Sequence, residues 1–467
     1  MEQKKLTRTK MPEIPPEERI KSFIEVACGY PEEQAIREAK RCIQCKKPTC
    51  IFGCPVEINI PKFIKEISEG NFQQAINTIK EKNNLPAICG RVCPQETQCE
   101  LKCIIGKKGE PVAIGSLERF VADWQMRQNV VGSPERSEGR SNLLKKVAVI
   151  GSGPAGLTCA GDLARSGFSV TIFEALHEPG GVLRYGIPTF RLPREILEYE
   201  INYVKSLGVE IICNTVIGKT FTLKELFNMG YSAIFIGTGA GLPTFPNIPG
   251  ENLCRIYSAN EFLTRINLMS AHKFPEFDTP LNIGKRVAVI GGGNTAMDAA
   301  RCALRLGSDV SIIYRRTEQE MPARRAEIEH AKEEGINFLF LLQPIEFLGD
   351  SQGFVTGIKC LKCELGQPDS SGRRKPIPIK GSDFVIPVDT VILALGLNPN
   401  PLIPKTTPEL KTNEYGDIIV NPETMETSIE NVYAGGDIVG GEGTVIEAMG
   451  MGKKAAKSII EKLNKIS

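Results

Sequence analysis

The sequence has little histidine, no long apolar run and no excess of charge of either sign. Only three of its 467 residues are histidine, which disfavours histidine-ligated metal sites and histidine-based catalytic triads. Its 57 Lys and Arg residues balance 55 Asp and Glu residues, so the chain lacks the basic field that nucleic-acid binding requires. No stretch reaches the ~18 apolar residues of a membrane-spanning helix. We therefore expect neither a nucleic-acid nor a membrane partner.

The N-terminal segment and the cysteine content together predict a reducing compartment. Met1–Arg19 is polar and charged and has no apolar segment of the kind found in secretory signal peptides, so we expect a cytoplasmic protein. The chain nevertheless contains 15 cysteines. Disulfide frameworks are rare where thiols are kept reduced, so these cysteines need another explanation.

Eight of the cysteines form two groups of four within about sixty residues. The first group is Cys42, Cys45, Cys50 and Cys54, and the second is Cys89, Cys93, Cys99 and Cys103. The first group ends before Pro55 and is close to the spacing by which bacterial ferredoxins hold [4Fe–4S] clusters. Structural zinc and inert thiols are the alternatives, but zinc ribbons favour C-x2-C pairs and only one pair here has that spacing. We predict two [4Fe–4S] clusters.

A glycine-rich turn follows the short apolar strand predicted at 146–150 and opens a helix. The turn consists of Gly151, Ser152, Gly153, Pro154, Ala155 and Gly156. In such a turn the first glycine makes the bend, the second admits a pyrophosphate and the third lets the helix pack on the strand. Glu174 ends the next strand, where a carboxylate accepts a hydrogen bond from a ribose hydroxyl. This order predicts a dinucleotide-binding fold.

A second turn of the same type follows the strand predicted near residue 286. It consists of Gly291, Gly292, Gly293, Asn294, Thr295 and Ala296. The strand after it ends in Arg315 and Arg316 instead of an acid, and Arg324 and Arg325 lie downstream. Guanidinium groups at this position favour the 2′-phosphate of NADP(H). A solvated basic turn is the alternative interpretation.

Near the C-terminus, Gly436 and Asp437 end a short strand, and a helix is predicted from about Thr444. A carboxylate at this place can bind a ribityl hydroxyl of FAD, and the positive end of a helix can stabilise the N1–O2 edge of a reduced flavin. Ordinary turn chemistry could also place these residues here. The preceding dinucleotide fold favours the flavin.

These motifs predict an α/β protein with a mostly helical N-terminal domain holding two [4Fe–4S] clusters, followed by two Rossmann-like dinucleotide-binding domains of the glutathione/thioredoxin-reductase type. The predicted divisions are a helical iron–sulfur domain at 1–145, FAD binding at 146–280 and 399–467, and NADP(H) binding at 281–398. A polar linker is predicted at Gly132–Asn142. Cys360 and Cys363 lie in a predicted strand, on opposite faces, which disfavours a redox-active pair.

The order of these motifs resembles the small (beta) subunit family of NADPH-dependent glutamate synthase. Further motifs of the resemblance are IGSLERF at Ile114–Phe120 and GGVLRYGIP at Gly180–Pro188, which contains the cofactor-binding Gly181. Within that family the chain is most similar to the large subunit of NADH-dependent reduced ferredoxin:NADP+ oxidoreductase and to sulfide-dehydrogenase-type relatives. Its N-terminal part also resembles the iron–sulfur module of dihydropyrimidine dehydrogenase.

The resemblance implies a specific set of cluster ligands. An outer cluster would be held by Cys42, Cys45, Cys50 and Cys103, and an inner cluster by Cys54, Cys93, Cys99 and Glu118. Cys89 would then be unligated, whereas the cysteine spacing alone makes all eight cysteines ligands. A surface glutamate on a helix is the alternative interpretation of Glu118.

The resemblance also implies an NADP(H)-dependent enzyme in which FAD exchanges a hydride with the nicotinamide and single electrons with the clusters, without a catalytic side chain. The first expectation is the large catalytic subunit of an electron-bifurcating oxidoreductase, with a smaller flavin/[2Fe–2S] subunit and ferredoxin as partners. The alternatives are the small subunit of glutamate synthase, feeding a separate large subunit, and a non-catalytic electron-transfer adaptor.

Overall fold

The computed structural model describes residues 6–128, 145–369, 371–441 and 443–465. The linker predicted at Gly132–Asn142 lies outside the described residues. Within 6–128 every regular element longer than a single bridge is helical. The α-helices are α1 (Pro16–Arg19), α2 (Glu32–Ala39), α3 (Thr49–Phe52), α4 (Ile60–Ser68), α5 (Phe72–Lys80), α6 (Pro86–Val92) and α7 (Ile114–Arg127).

Helix α4 shows how the sequence forms these helices. The side chain of Asn59 accepts a hydrogen bond from the backbone N–H of Lys62 (3.4 Å), and Pro61 occupies the first turn, where no N–H is needed. The apolar residues recur at helical spacing, so one face is buried, at Ile60, Phe63, Ile64 and Ile67. That face joins a hydrophobic core that continues into the first sheet domain.

The first sheet domain contains the strands β1 (Lys146–Ile150), β2 (Ser169–Phe173), β3 (Glu210–Ile212), β4 (Tyr231–Ile236) and β16 (Val432–Ala434). They form a parallel five-stranded sheet of order β16–β4–β1–β2–β3. Its helices are α8 (Pro154–Arg165), α9 (Val182–Tyr185), α10 (Arg194–Ser206), α11 (Leu223–Asn228), α15 (Leu402–Thr406) and α16 (Val445–Lys465). Helix α16 packs along α8, where Gly452 lets it approach the backbone of Ala155.

The second sheet domain is inserted between β4 and β16 and has the parallel order β6–β14–β7–β8–β9. Its strands are β6 (Ile256–Ser258), β7 (Arg286–Ile290), β8 (Asp309–Tyr314), β9 (Asn337–Phe340) and β14 (Thr390–Leu393), with helices α12 (Ala259–Asn267), α13 (Asn294–Arg305) and α14 (Arg325–Glu333). An antiparallel sheet, β10 (Leu342–Gly349), β11 (Val355–Pro368), β12 (Arg374–Pro378) and β13 (Phe384–Pro387), is attached to it.

The chain crosses between the two domains through a short antiparallel pair, β5 (Ala240–Pro243) and β15 (Leu397–Pro399). The return crossing, at β15, lies beside residue 398, where the sequence predicts the end of the NADP(H)-binding domain. The first crossing, at β5, comes before residue 280, where the sequence predicts the end of the first FAD-binding segment. It comes earlier because β6 already pairs with β14 of the second sheet. The segment 256–258 is too short to carry a periodicity that would have assigned it to that sheet.

Among the described residues, no helix is both long and apolar enough to cross a lipid bilayer.

Candidate cofactor sites

A cavity of about 470 Å³ lies between the two sheet domains. Its wall includes most of the residues that the sequence predicted to bind cofactors. These are Gly151, Gly153, Pro154, Ala155, Glu174, Gly181, Asn294, Thr295, Gly436, Asp437 and Thr444. The other predicted cofactor residues, which do not line this cavity, are Gly156, Gly291, Gly293, Arg315, Arg316 and Arg324.

The three glycines of the first turn differ in what surrounds them. Gly151 has a φ of +97°, and a Cβ there would lie 2.5 Å from the carbonyl oxygen of Gly237. A Cβ at Gly156 would lie 1.9 Å from the carbonyl oxygen of Gly151. At Gly153, by contrast, a Cβ would meet nothing within 4 Å. The space above Gly153 belongs to the cavity, so the turn leaves room for a ligand where a pyrophosphate is expected.

Glu174 shapes the first turn as well as lining the cavity. Its carboxylate accepts hydrogen bonds from the backbone N–H of Ser152 (2.9 Å), the hydroxyl of Ser152 and the backbone N–H of Leu176 (2.9 Å). The side chain is buried. Each carboxylate oxygen has two lone pairs, so these bonds leave capacity for a ribose hydroxyl.

The predicted flavin end lies beside the first turn, since a Cβ at Gly436 would lie 3.3 Å from the Cβ of Ala155. Gly436 has a φ of +80° and places Asp437 after β16. Burial raises the pKa of Asp437, which is consistent with a hydrogen-bonding role in place of an ion pair. Thr444 directly precedes α16, a helix of 21 residues, so the positive end of this helix faces the same cavity.

The second glycine turn presents its helix to the cavity. Asn294 and Thr295, the first residues of α13, line the wall. Gly291 (φ +144°) lies close to the backbone of Ala394. The space beside Gly293 is free of neighbouring atoms, since a Cβ there would have only Pro322 near it, at 4.0 Å. The start of α13 therefore offers free backbone N–H groups to a phosphate.

The three predicted arginines have different environments. Arg315 is exposed at the end of β8. Arg316 is buried, paired with Asp369 (2.6 Å), and donates a hydrogen bond to the carbonyl oxygen of Arg374 (2.7 Å). Arg324 extends away from the second sheet and contacts the iron–sulfur domain, pairing with Glu96 (3.3 Å). The structure therefore does not bring the three guanidinium groups together, and Arg315 is the one left exposed.

The four cysteines assigned to the outer cluster lie around one small apolar cavity. Cys42, Cys45, Cys50 and Cys103 all line it, together with Ile60, Ile64 and Ile114. Burial and the neighbouring thiols raise the pKa of Cys50 to about 12. An arrangement of four sulfurs around one cavity suits a soft metal ion, whose charge stabilises the thiolates.

The residues assigned to the inner cluster are also neighbours. Cys54, Cys93 and Cys99 are buried, and burial raises the pKa of Glu118 to about 8. Glu118 accepts a hydrogen bond from the side chain of Asn83 (2.7 Å), so it is not a surface glutamate. Cys89 lies in the same group, with its sulfur 3.4 Å from the sulfur of Met449. Glu118 and Cys89 are thus both near the inner cysteines.

The inner cysteines adjoin the large cavity. Val92 and Pro94, the two neighbours of Cys93 in the chain, line its wall. From the other side, Ala448 of α16 lines the cavity while the next residue, Met449, contacts Cys89. The sequence motifs do not include Val92, Pro94 or Met449, because apolar side chains carry no chemical signature. Only the position of Val92 and Pro94 beside Cys93 could have indicated that they lie between the inner cysteines and the cavity.

Cys360 and Cys363 lie in β11, and both are buried. Burial raises the pKa of Cys360 to about 12 and also raises that of Cys363. The reactive thiolate is therefore disfavoured at both positions.

Two family models match successive parts of the chain. Residues 19–130 match the family model of dihydropyrimidine dehydrogenase domain II with its 4Fe–4S cluster. Residues 145–452 match the model of the pyridine nucleotide-disulphide oxidoreductases. The glutamate synthase [NADPH] small chain of Escherichia coli is 36% identical over 462 residues, which cover 97% of each chain.

The chain belongs to the pyridine nucleotide-disulphide oxidoreductases, in the family of the glutamate synthase small chain. The Azospirillum brasilense small chain is 38% identical and covers 97% of this chain and 94% of its own. The NADP(+)-dependent formate dehydrogenase subunit beta of Moorella thermoacetica is 39% identical, but the chain spans only 59% of its length. Mycobacterium tuberculosis FprA in complex with NADPH shares the fold, with a TM-score of 0.57, 22% identity and coverage of 69% of this chain and 85% of its own.

Membership of this family makes the chain an NADP(H)-dependent oxidoreductase with a flavin and [4Fe–4S] iron. The residues present fit these groups. The glycine turns leave open space above Gly153 and Gly293, and four cysteine sulfurs surround one apolar cavity. The predicted fold class, the enzyme class and the cofactor types FAD, NADP(H) and [4Fe–4S] are confirmed. The number of two clusters stays a prediction.

Proposed function

We propose that this chain is an electron-transfer subunit that passes electrons between NADP(H) and a partner protein by way of FAD, an inner cluster and an outer cluster. The observation that supports this most strongly is the position of Val92 and Pro94. They flank Cys93 and line the cavity assigned to the dinucleotides. The polypeptide thus joins the nucleotide cavity to the inner cysteines at Cys93 without an intervening domain.

In this proposal the cofactors supply the redox chemistry: FAD exchanges a hydride with nicotinamide and single electrons with the clusters. The protein binds these cofactors and orients them. The turns at Gly153 and Gly293 hold the pyrophosphates of FAD and NADP(H), Asp437 and the start of α16 hold the flavin, and Arg315 recognises the 2′-phosphate. Cys42, Cys45, Cys50 and Cys103 ligate the outer cluster, and Cys54, Cys93, Cys99 and Glu118 ligate the inner one.

Arg315 gives a direct prediction about nucleotide choice. Replacing Arg315 with glutamine removes the exposed guanidinium, so the Kd for NADP+ is expected to rise about tenfold or more while the Kd for NAD+ stays unchanged. Titration of the oxidised protein with both nucleotides measures this. Arg316→Gln is the matched control: it removes the ion-pair partner of Asp369, so it should lower thermal stability more than it changes nucleotide preference. Equal losses for NADP+ and NAD+ in Arg315→Gln would remove Arg315 from the site.

The surface around the outer cysteines is apolar at its centre and positively charged around it. Ile43, Phe52 and Leu101 are exposed there, Phe52 by 80% and Leu101 by 62%. Residues 40–53 and 101–109 contain no Asp or Glu. Their exposed lysines are Lys40, Lys46, Lys47, Lys102, Lys107 and Lys108. Charge complementarity favours an acidic redox protein such as ferredoxin at this surface.

The lysines should control the rate of docking. Replacing Lys46, Lys47 and Lys102 together by glutamine is expected to slow ferredoxin reduction about tenfold at low salt and to remove most of its salt dependence, because opposite charges steer association. Stopped-flow measurements at several salt concentrations test this. The matched control replaces three exposed lysines of the first sheet domain, Lys205, Lys219 and Lys224. Equal slowing in both triple variants would contradict the assignment of this surface.

Two partner systems are candidates. The first is an electron-bifurcating NADH-dependent reduced ferredoxin:NADP+ oxidoreductase, in which this chain is the large subunit beside a smaller flavin/[2Fe–2S] subunit; the lysine-rimmed surface favours it. The second is glutamate synthase, and the full-length similarity to its [NADPH] small chains supports it. Relatives described as subunits support a partner subunit in either case.

The two systems can be distinguished with the cofactor-loaded chain. Purification from the native source identifies the bound subunit, and NADPH oxidation is then followed with ferredoxin plus NAD+, or with glutamine plus 2-oxoglutarate. Activity only in the first mixture supports bifurcation, and glutamate formation supports the second system. A chain that neither binds FAD nor oxidises NADPH would overturn the proposal and leave the non-catalytic adaptor.

A further inference from the structure

Asp298 has one buried oxygen without a hydrogen-bond partner. Its side chain is 4% exposed and lines the cavity between the sheet domains. One oxygen, Oδ2, accepts a hydrogen bond from Nη1 of Arg191 (2.7 Å), whereas Oδ1 accepts none. A buried carboxylate oxygen without a donor is costly. Among the described carboxylates that line this cavity, only Asp298 combines burial with an unpaired oxygen, which points to a ligand that supplies the donor.

The neighbouring charges define the local chemistry. Arg191 comes from the first sheet domain, lines the same cavity, and also pairs with Glu327 (3.1 Å). Glu327 pairs in turn with Arg301 and does not line the cavity. Asp298 and Arg191 therefore present an acceptor and a guanidinium donor group side by side at the junction of the two domains.

Position along α13 indicates which part of a nucleotide would lie there. Asn294 and Thr295 line the cavity at the start of α13, where phosphates bind. Asp298 lies about one turn further along, about 6 Å from the start of the helix, beside a residue of the first domain. The nicotinamide half of a nucleotide must extend from the phosphates toward that domain to reach the flavin.

We propose that Asp298 accepts a hydrogen bond from the carboxamide N–H of the nicotinamide ring, with Arg191 holding the carboxylate in place. A primary amide presents a donor and an acceptor side by side, and this matches the acceptor and donor of the Asp298–Arg191 pair. Asp298 is then a specificity-determining residue for the pyridine ring. The inference rests on NADP(H) being the ligand of the second sheet domain.

The test compares NADP+ with its 3-acetylpyridine analogue, in which a methyl group replaces the amide nitrogen. Kd values for the cofactor-loaded, oxidised protein are measured by calorimetry, so no turnover is needed. The native protein should bind NADP+ about tenfold more tightly than the analogue, because the analogue leaves Oδ1 unpaired. Asp298→Ala should bind the two ligands equally. An unchanged ratio in Asp298→Ala would overturn the proposal.

Two further variants keep the test decisive if Asp298→Ala folds poorly. In Asp298→Asn the side-chain oxygen still accepts the hydrogen bond from Arg191, and the NH2 group takes the place of Oδ1. That NH2 group is a donor, so it suits the carbonyl of the analogue and not the N–H of the carboxamide. The analogue should therefore bind at least as well as NADP+. Glu327→Gln alters the other carboxylate on Arg191 without touching the cavity and should keep the native ratio. Native protein that does not bind NADP+ would instead contradict the proposed function.

Discussion

Replacing Gly153 by valine is expected to give a folded protein that keeps its iron and loses FAD. The backbone of Gly153 (φ −70°, ψ −178°) is extended, so a β-branched residue fits it without strain. Its Cβ would meet no protein atom within 4 Å, but it would occupy the part of the cavity where the pyrophosphate must approach the backbone. We expect FAD affinity to fall at least about a hundredfold, since the phosphate contacts and the close approach are lost together.

The control for this variant is Gly156→Ala in the same turn. There a Cβ would lie 1.9 Å from the carbonyl oxygen of Gly151, so the turn or the start of α8 must move and thermal stability should fall. Flavin content, measured by absorbance after denaturation, is therefore expected to fall in both variants. The melting temperature of the FAD-free protein should fall only in Gly156→Ala, because bound FAD itself stabilises the folded state. A Gly153→Val protein with full FAD content would show that the pyrophosphate is not bound at this turn.

Replacing Cys93 by serine is expected to remove the inner cluster and to interrupt electron flow. Iron per chain should fall by about half, because the outer set at Cys42, Cys45, Cys50 and Cys103 lies around its own cavity. NADPH should still bleach the flavin, since the nucleotide cavity is intact. Reduction of a protein acceptor should fall a hundredfold or more, because the remaining electron route bypasses the inner site.

Cys89→Ser is the matched control, and it decides the fourth ligand. Cys89 lies next to Cys93 in space and contacts Met449, so both substitutions disturb the same buried region. If Glu118 is the ligand, Cys89→Ser keeps all its iron and Glu118→Ala loses about half. If Cys89 is the ligand, as the spacing of the eight cysteines predicts, Cys89→Ser loses about half of its iron and Glu118→Ala keeps all of it. A Cys93→Ser protein with its full iron content would contradict the inner assignment altogether.

The glycine turns and cysteine groups were predictable because their chemistry requires particular residues at fixed spacing. Gly151 and Gly153 therefore lie at the cavity wall as the sequence predicts, and four cysteines meet around one small cavity. Helical packing in residues 6–128 followed from the same short-range patterns.

The features that the sequence could not show depend on contacts distant in sequence. Arg316 pairs with Asp369, 53 residues away, and Arg324 pairs with Glu96, 228 residues away. A run of basic residues cannot show which guanidinium a carboxylate already occupies. The unpaired oxygen of Asp298 is likewise visible only once α13 is packed against the first domain.

In the proposed function, one cavity places FAD between NADP(H) and the inner cluster. The most direct test mixes anaerobic, cofactor-loaded protein with NADPH and follows flavin absorbance together with the low-temperature electron paramagnetic resonance of the iron. We predict that the flavin bleaches and a reduced-cluster signal then appears in the native protein, while Cys93→Ser shows the bleaching without that signal from the inner cluster. A native protein whose flavin is reduced by NADPH while all its iron stays oxidised would contradict this path from NADPH through FAD to the inner cluster.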